Sequence, residues 1–350
     1  MRTKLILSAI ILISLAACEK DDNLPGKLKV KEGPLSNKLG KLIDLGDYGY
    51  GRFVVWGRNS DELFITASSE ILRIDISSNK VYVLDTKVGS ITSKTNENSG
   101  IVFINQSGYN LFNFSTNSIE NLISTPSNQG SLLNISGNNI FYTLFPVSKP
   151  ATPCSGFCWP APGPFVPATF YHIDKQTQKI TDLKNKRFLV FSQDGSKTIL
   201  SSQIESRMFV FDNVGRTIID SADVKSTNPK FGLFFQRGVL QSYDVDILGK
   251  ITIKNFKTDE IIKQFSTNMI LSDEIKVSAD GTKLYYSGGV LNGNSMKILL
   301  YDIATNTQTE LVDIPFLDGV ATPVDFFLLS DDNRKLVTRS GNDLYVKVLN

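Results

Sequence analysis

The sequence predicts an all-β chain folded as a seven-bladed β-propeller, and three observations carry that expectation. Short runs rich in Val, Ile, Phe and Tyr alternate with Asn, Asp, Gly and Ser turns, as at Arg52–Trp56, Leu63–Thr66, Ile71–Ile76 and Val81–Leu84. Such alternation, with no long stretch of helical period, is the pattern of half-buried strands. A strand–polar-turn–strand element recurs along the chain, and its spacing is close to forty residues. That period, with four strands per unit, belongs to propeller blades.

The recurring element is anchored on Asp or Asn. It reads Ile74-Asp75-Ile76 in the first copy and Phe112-Asn113-Phe114 in the second. Ile173-Asp174-Lys175, Phe211-Asp212-Asn213 and Lys254-Asn255-Phe256 follow, and Tyr301-Asp302-Ile303 is the sixth and clearest. Successive anchors lie 38, 61, 38, 43 and 47 residues apart. The long step contains an insertion of roughly twenty residues, and its removal restores the period. A second element precedes the first: Ser192-Gln193-Asp194-Gly195-Ser196-Lys197, Ser278-Ala279-Asp280-Gly281-Thr282-Lys283 and Ser330-Asp331-Asp332-Asn333-Arg334-Lys335, with a degenerate copy from Trp56 to Leu63. Asp-Gly between apolar runs marks a tight hairpin, because glycine adopts positive φ at no steric cost. Taken together the two elements resemble the TolB-like and WD-type propeller repeat over most of residues 50–350, best at 278–310.

Counting units gives seven. The last runs from about 318 to the C-terminus and has room for three strands only. The segment from Gly40 to Gly46 is a strand without a unit of its own. It is therefore expected to pair with the C-terminal blade and close the ring, which removes the exposed edge of an open array.

The N-terminus has the layout of an export signal. Arg2 and Lys4 precede an apolar stretch, Leu5–Leu15, that is about half the length of a membrane-spanning helix. It ends in Leu15-Ala16-Ala17-Cys18, which resembles the bacterial lipobox, and the resemblance implies that residues 1–17 are removed and Cys18 is lipidated. Glu19-Lys20-Asp21-Asp22 follows and resembles the acidic export signal of Bacteroidota surface lipoproteins, carried by Lys20, Asp21 and Asp22. Two or three acyl chains give stable anchoring, at about 0.8 kcal/mol per buried methylene. These resemblances imply an outer-membrane lipoprotein facing the cell surface, with the periplasmic face as the alternative. Residues 18–38 are polar, contain Pro25, Gly26, Gly33 and Pro34, and read as a flexible tether; the propeller then spans 39–350.

Composition narrows the function. Lys and Arg number 37 against 35 Asp and Glu, a balance that argues against a nucleic-acid binder. There is one histidine, His172, and it sits in a strand between Tyr171 and Ile173, so it reads as a packed residue. Neither a metal site nor a cofactor is expected: no phosphate loop, dinucleotide fingerprint or G-x-S-x-G elbow is present. The insertion at 146–167 is rich in Pro, which excludes a ladder strand. It holds Cys154 and Cys158, the two cysteines left once Cys18 carries lipid. In an oxidising compartment the pair reads as a disulfide that shapes the loop, contributing about 2 kcal/mol by the chain-entropy argument. A redox role is the alternative, although the spacing is C-x-x-x-C. The same loop carries Phe157, Trp159 and Phe165, candidate binding anchors on a rigid scaffold, or rings that fold back to cap the blade.

The repeated Asp75, Asn113, Asp174, Asp212, Asn255 and Asp302 precede a polar turn in every unit. They are expected to bond neighbouring backbone N–H groups rather than form a carboxylate ring. Asp194, Asp280 and Asp331 read as turn residues by the same argument. The expectation is a non-enzymatic binding or scaffold module for an envelope protein or an extracellular ligand such as a glycan. The rival is a polysaccharide lyase or glycosidase, which needs two or more acids within about 5–10 Å of each other at the channel mouth.

Overall fold

A computed structural model of the chain describes residues 26–349 except 28, 46–47, 49–50, 69, 86–88, 125–130, 145–167, 203, 224–230, 279, 291–292, 294, 317–323 and 325. The predicted fold is observed. Seven antiparallel sheets form the blades of a ring. Blade 1 consists of Gly51–Trp56, Glu62–Ala67, Glu70–Asp75 and Lys80–Asp85. Blade 2 runs from Ser90–Lys94 to Ser118–Ile123, and blade 3 from Ser131–Ser136 to Ile180–Lys184. Blade 4 runs from Arg187–Phe191 to Thr217–Asp223 and blade 5 from Phe231–Gln236 to Ile261–Ser266. Blade 6 runs from Met269–Val277 to Thr307–Pro315. In each of these the four strands pair in chain order.

Blade 7 is assembled from both ends of the chain. Phe326–Leu329, Lys335–Ser340 and Asp343–Val348 supply three strands, and Lys41–Asp44 supplies the fourth. The register is Lys41↔Val346, Leu42↔Tyr345 and Ile43↔Leu344. This is the closure the sequence predicts. Gly40 makes it possible: φ is +88°, and a Cβ there would lie 2.1 Å from the Val346 carbonyl oxygen. Within the stretch read as a tether, Gly26–Lys27 pairs with the fourth strand of blade 1, Lys29–Lys31 pairs with Lys41–Asp44, and Ser36–Leu39 forms one helical turn.

The blades are held by seams of apolar side chains rather than one central core. Where blade 7 meets blade 1, Ile43, Val54, Trp56, Leu63, Val337 and Leu344 pack together. There Trp56 Nε1–H donates to the Leu328 carbonyl at 3.1 Å, and Lys335 pairs with Asp61. Burying these side chains contributes about 1.5–3 kcal/mol each, which is what keeps adjacent blades in contact.

The six anchor residues end the third strand of their blades and do what was expected of them. Asp75 Oδ1 accepts the Ser78 N–H at 2.9 Å, Asn113 Oδ1 the Ser115 N–H at 2.9 Å, and Asp174 Oδ1 the Thr177 N–H at 2.8 Å. Asp212, Asn255 and Asp302 accept from Val214, Lys257 and Ala304 in the same way. Four residues after each anchor the chain enters the left-handed region, at Asn79, Asn117, Gln178, Arg216, Asp259 and Asn306, with φ between +53° and +62°. A turn that closes through a left-handed residue suits the right-handed twist of the paired strands.

Candidate functional site

Strand alternation sorts the connections onto two faces of the ring. Turns between first and second strands share a face with the anchored turns between third and fourth strands. The insertion in blade 3 joins a second strand, Asn139–Leu144, to a third, Thr169–Asp174, so Leu144 and Thr169 lie opposite each other at the other face. Cys154, Cys158, Phe157, Trp159 and Phe165 fall outside the described residues, as do Cys18, Lys20, Asp21 and Asp22.

On the turn face, the Ser-x-Asp elements build one repeated hydrogen-bond knot. Ser192 Oγ–H donates to Asp194 at 2.6 Å, the Ser196 N–H donates to the same carboxylate, and the Lys197 N–H donates back to Ser192 Oγ. Ser278, Asp280 and Thr282 repeat this, and so do Ser330, Asp332 and Arg334. The Ser192 bond, followed by those from Ser196, holds the Asp194 carboxyl below its ordinary value. At Asp280 burial pushes upward, but the bonds from Ser278 and Thr282 outweigh it and the carboxyl again sits low.

This corrects one expectation. The turn acid of blade 7 is Asp332, not Asp331, because the knot needs the carboxylate two residues after the serine. Asp331 instead reaches blade 2. It accepts from Lys94 Nζ at 2.9 Å and from Asn98 Nδ2 at 3.1 Å, while Lys94 also donates to the Gly57 carbonyl of blade 1. Asn96 Nδ2 in turn donates to the Ser192 carbonyl of blade 4 at 3.0 Å. Turns of non-adjacent blades therefore meet on this face. A polar cavity of about 200 Å³ lies among Gln193, Asp280, Lys283, Asp331 and Asn333. Asp280 and Asp331 both line it, but each carboxylate is engaged, one by its own turn and the other by Lys94 and Asn98.

Two buried charges were not foreseen. Glu62, opening the second strand of blade 1, accepts from Arg58 Nη2 at 2.9 Å and from Arg73 Nε at 2.7 Å, with its side chain 7% exposed. Burial pushes this carboxyl upward, yet the bonds from Arg58 and the charge of Arg73 outweigh it and hold it below the ordinary range. Asp174 has a second role beyond its turn, since its other oxygen pairs with Arg216 of blade 4.

His172 is fully buried, with Phe141 and Phe211 each at 5.0 Å between ring centroids. Its Nε2 lies 2.9 Å from Asn139 Oδ1, and Nδ1 has no partner among the described residues. Burial, helped by the Arg216 charge, pushes the imidazole down to about 4. It is the packed residue the sequence suggested. Among the described residues no group of three or more His, Cys, Asp or Glu side chains is placed to hold a metal ion.

The larger opening lies between blades 4 and 5. It is a cleft of about 370 Å³ walled by Ile199, Met208, Val210, Phe235, Leu240 and Phe256. Lys197 and Lys257 stand at its rim, and Lys257 Nζ is bonded to Asp220 of blade 4 at 2.8 Å.

No family model matches the sequence, and no curated protein matches it. Solved structures do. An oligogalacturonate lyase in complex with manganese is similar with a TM-score of 0.61 at 11% identity, covering 94% of this chain and 98% of that one. The Cps50 (Swd1) β-propeller domain of Myceliophteria thermophila is similar with a TM-score of 0.55 at 11% identity, covering 93% and 100%. A chain of the mitotic checkpoint complex is similar with a TM-score of 0.53 at 13% identity, covering 94% and 96%. These likenesses, at such low identity, define the chain as a β-propeller. Function has to be argued from the chain's own surfaces.

Proposed function

We propose that the protein is a lipid-anchored binding module of the bacterial outer membrane. Its propeller holds an envelope protein or an extracellular ligand and catalyses no reaction. The observation that supports binding over catalysis is the commitment of the turn-face carboxylates. Asp194, Asp280 and Asp332 are locked in their own turns, and Asp331 is neutralised by Lys94. Acid–base chemistry at a glycosidic bond needs two acids free to exchange protons. The similar structure from the mitotic checkpoint complex belongs to a multiprotein assembly, and a protein ligand fits that precedent. The likeness to an oligogalacturonate lyase keeps a polysaccharide lyase as the second reading.

The test uses intact cells. Protease shaving and antibody labelling are compared for wild type, Cys18→Ala and a Lys20/Asp21/Asp22→Ala variant, with incorporation of an alkyne-tagged palmitate followed in parallel. Label on wild type that disappears in Cys18→Ala, with surface exposure lost in the acidic-motif variant, is the expected result. Protection of the wild type until the outer membrane is opened overturns the surface assignment. Release of unsaturated uronate ends from polygalacturonate by the purified protein overturns the non-enzymatic one.

A further inference from the structure

We infer that the cleft between blades 4 and 5 binds a single-chain anionic amphiphile of the fatty-carboxylate class, with its hydrocarbon against Met208, Phe235 and Phe256 and its carboxylate at Lys197. This goes beyond the proposed binding function, because it places a small-molecule site within the ring itself.

The first ground is that this seam is under-filled. Between blades 3 and 4, Phe141, Leu183, Phe191, Leu200, Phe209 and Phe211 are all buried. Between blades 4 and 5 only Ile199, Met208 and Phe235 are buried in the corresponding cluster, while Val210, Leu240 and Phe256 remain partly open. The missing burial is the cleft. Its volume of about 370 Å³ lies in the range of small-ligand sites, about 300–1,000 Å³. An apolar wall offers water few hydrogen-bond partners, and side chains facing a void forfeit dispersion contacts. A hydrocarbon chain restores both losses.

The second ground is the charge of the rim. Lys197 opens the second strand of blade 4, with its main chain fixed in the Ser192 knot. Asp212 lies opposite on the neighbouring strand, but its Oδ1 is turned to the Val214 N–H. Lys197 forms no ion pair among the described residues. Lys257 is matched by Asp220. Of the charged residues that line the cleft, Lys197, Lys257 and Asp220, Lys197 alone has no ion-pair partner among the described residues, which favours an anionic head over a cationic or neutral one.

The experiment is a calorimetric titration of the full chain carrying Cys18→Ala, kept free of detergent, with dodecanoate, dodecanol and dodecylamine as probes. Saturable binding of one dodecanoate per chain is expected, with dodecanol weaker and dodecylamine weaker still. Val239→Glu, at an exposed position lining the cleft, and Ala222→Trp, which fills it, should each weaken dodecanoate about tenfold or more. Lys197→Glu should weaken dodecanoate about tenfold and leave dodecanol unchanged. Two blocking variants are used so that one with an altered melting curve can be set aside. No saturable binding overturns the inference. So does dodecanoate binding that survives both blocking variants, or that is indifferent to Lys197→Glu. Surface exposure and anchoring are read by separate assays, so failure of the titration leaves the broader binding function standing.

Discussion

Replacing Glu62 by Gln should destabilise blade 1 measurably at neutral pH, and the deficit should vanish in acid. The carboxylate is buried and meets two guanidinium groups: Arg58 through Nε and Nη2, and Arg73 through Nε at 2.7 Å. Removing one partner of a fully buried pair costs about 3–5 kcal/mol, mostly from the charge left behind. Here Arg58 is 46% exposed and can rehydrate, while Arg73 at 20% is more confined. The loss should therefore fall near 2–3 kcal/mol, after discounting Arg58 for solvent screening. In a ring of roughly 300 residues, with about 2.1 cal/mol/K of unfolding entropy per residue, that corresponds to a melting midpoint lower by about 3–5 °C. The pH dependence has a definite sign. The folded-state pKa of Glu62 lies below the unfolded one, so its contribution is present above about pH 4.3 and lost as the pH falls through the folded value. Calorimetry of wild type and variant at pH 7 and in steps down to pH 3 should show the two curves converging. A double-mutant cycle with Arg73→Gln should give a coupling of about 1–2 kcal/mol at pH 7 that shrinks as the pH falls. Equal midpoints at pH 7, or a gap that widens in acid, would refute the assignment of Glu62 as a stabilising buried anion.

Three further outcomes are expected. Gly40→Ala sets a Cβ against the Val346 carbonyl and strains a positive φ, so it should cost more than about 1 kcal/mol and expose Asp343–Val348 to hydrogen exchange, which mass spectrometry can localise. Asp302→Ala removes the acceptor of the Ala304 and Thr305 N–H groups and should cost about 1 kcal/mol in urea denaturation, with Asp302→Asn recovering most of it. His172 should titrate near 4, and a single histidine makes its imidazole resonance directly assignable by NMR. Its lowered folded-state pKa means that the unfolded chain takes up the proton first, so stability should fall as pH drops from about 6.5 toward 4, and His172→Phe should flatten that slope.

Much of the ring could be read from the chain because its signals are local. The Asp or Asn before each turn accepts N–H groups two and three residues on, so sequence spacing and spatial contact coincide at Asp75 or Asp302. Closure by Lys41–Asp44 was readable for another reason: seven units with one incomplete leave a single strand over. Twin acids hid the register at Asp331-Asp332, and only the serine two residues before Asp332 identifies the turn member. The pairing of Asp331 with Lys94 joins positions 237 residues apart and leaves no local trace. Glu62 looks like any polar residue at the head of a strand, because its partner Arg73 arrives from the next strand. The cleft was invisible for a more general reason. Met208, Phe235 and Phe256 have the same character as residues of the filled seams, and a deficiency of packing depends on how blades meet, not on what they contain.

The closing strand also bears on the order of synthesis. Ile43 leaves the ribosome about 300 residues before its partner Leu344. Blades 1 to 6 can each pair their own strands as they emerge, but the last seam must wait for blade 7. A product truncated before Asp343 leaves Lys41–Asp44 paired only with Lys29–Lys31, an open edge on Lys335–Ser340 and the apolar seam of blade 1 uncovered, which proteases and aggregation both exploit. Joining Lys41–Asp44 to Asp343–Val348 thus acts as a completeness check on the ring: only a chain translated through blade 7 can close the seam that covers blade 1.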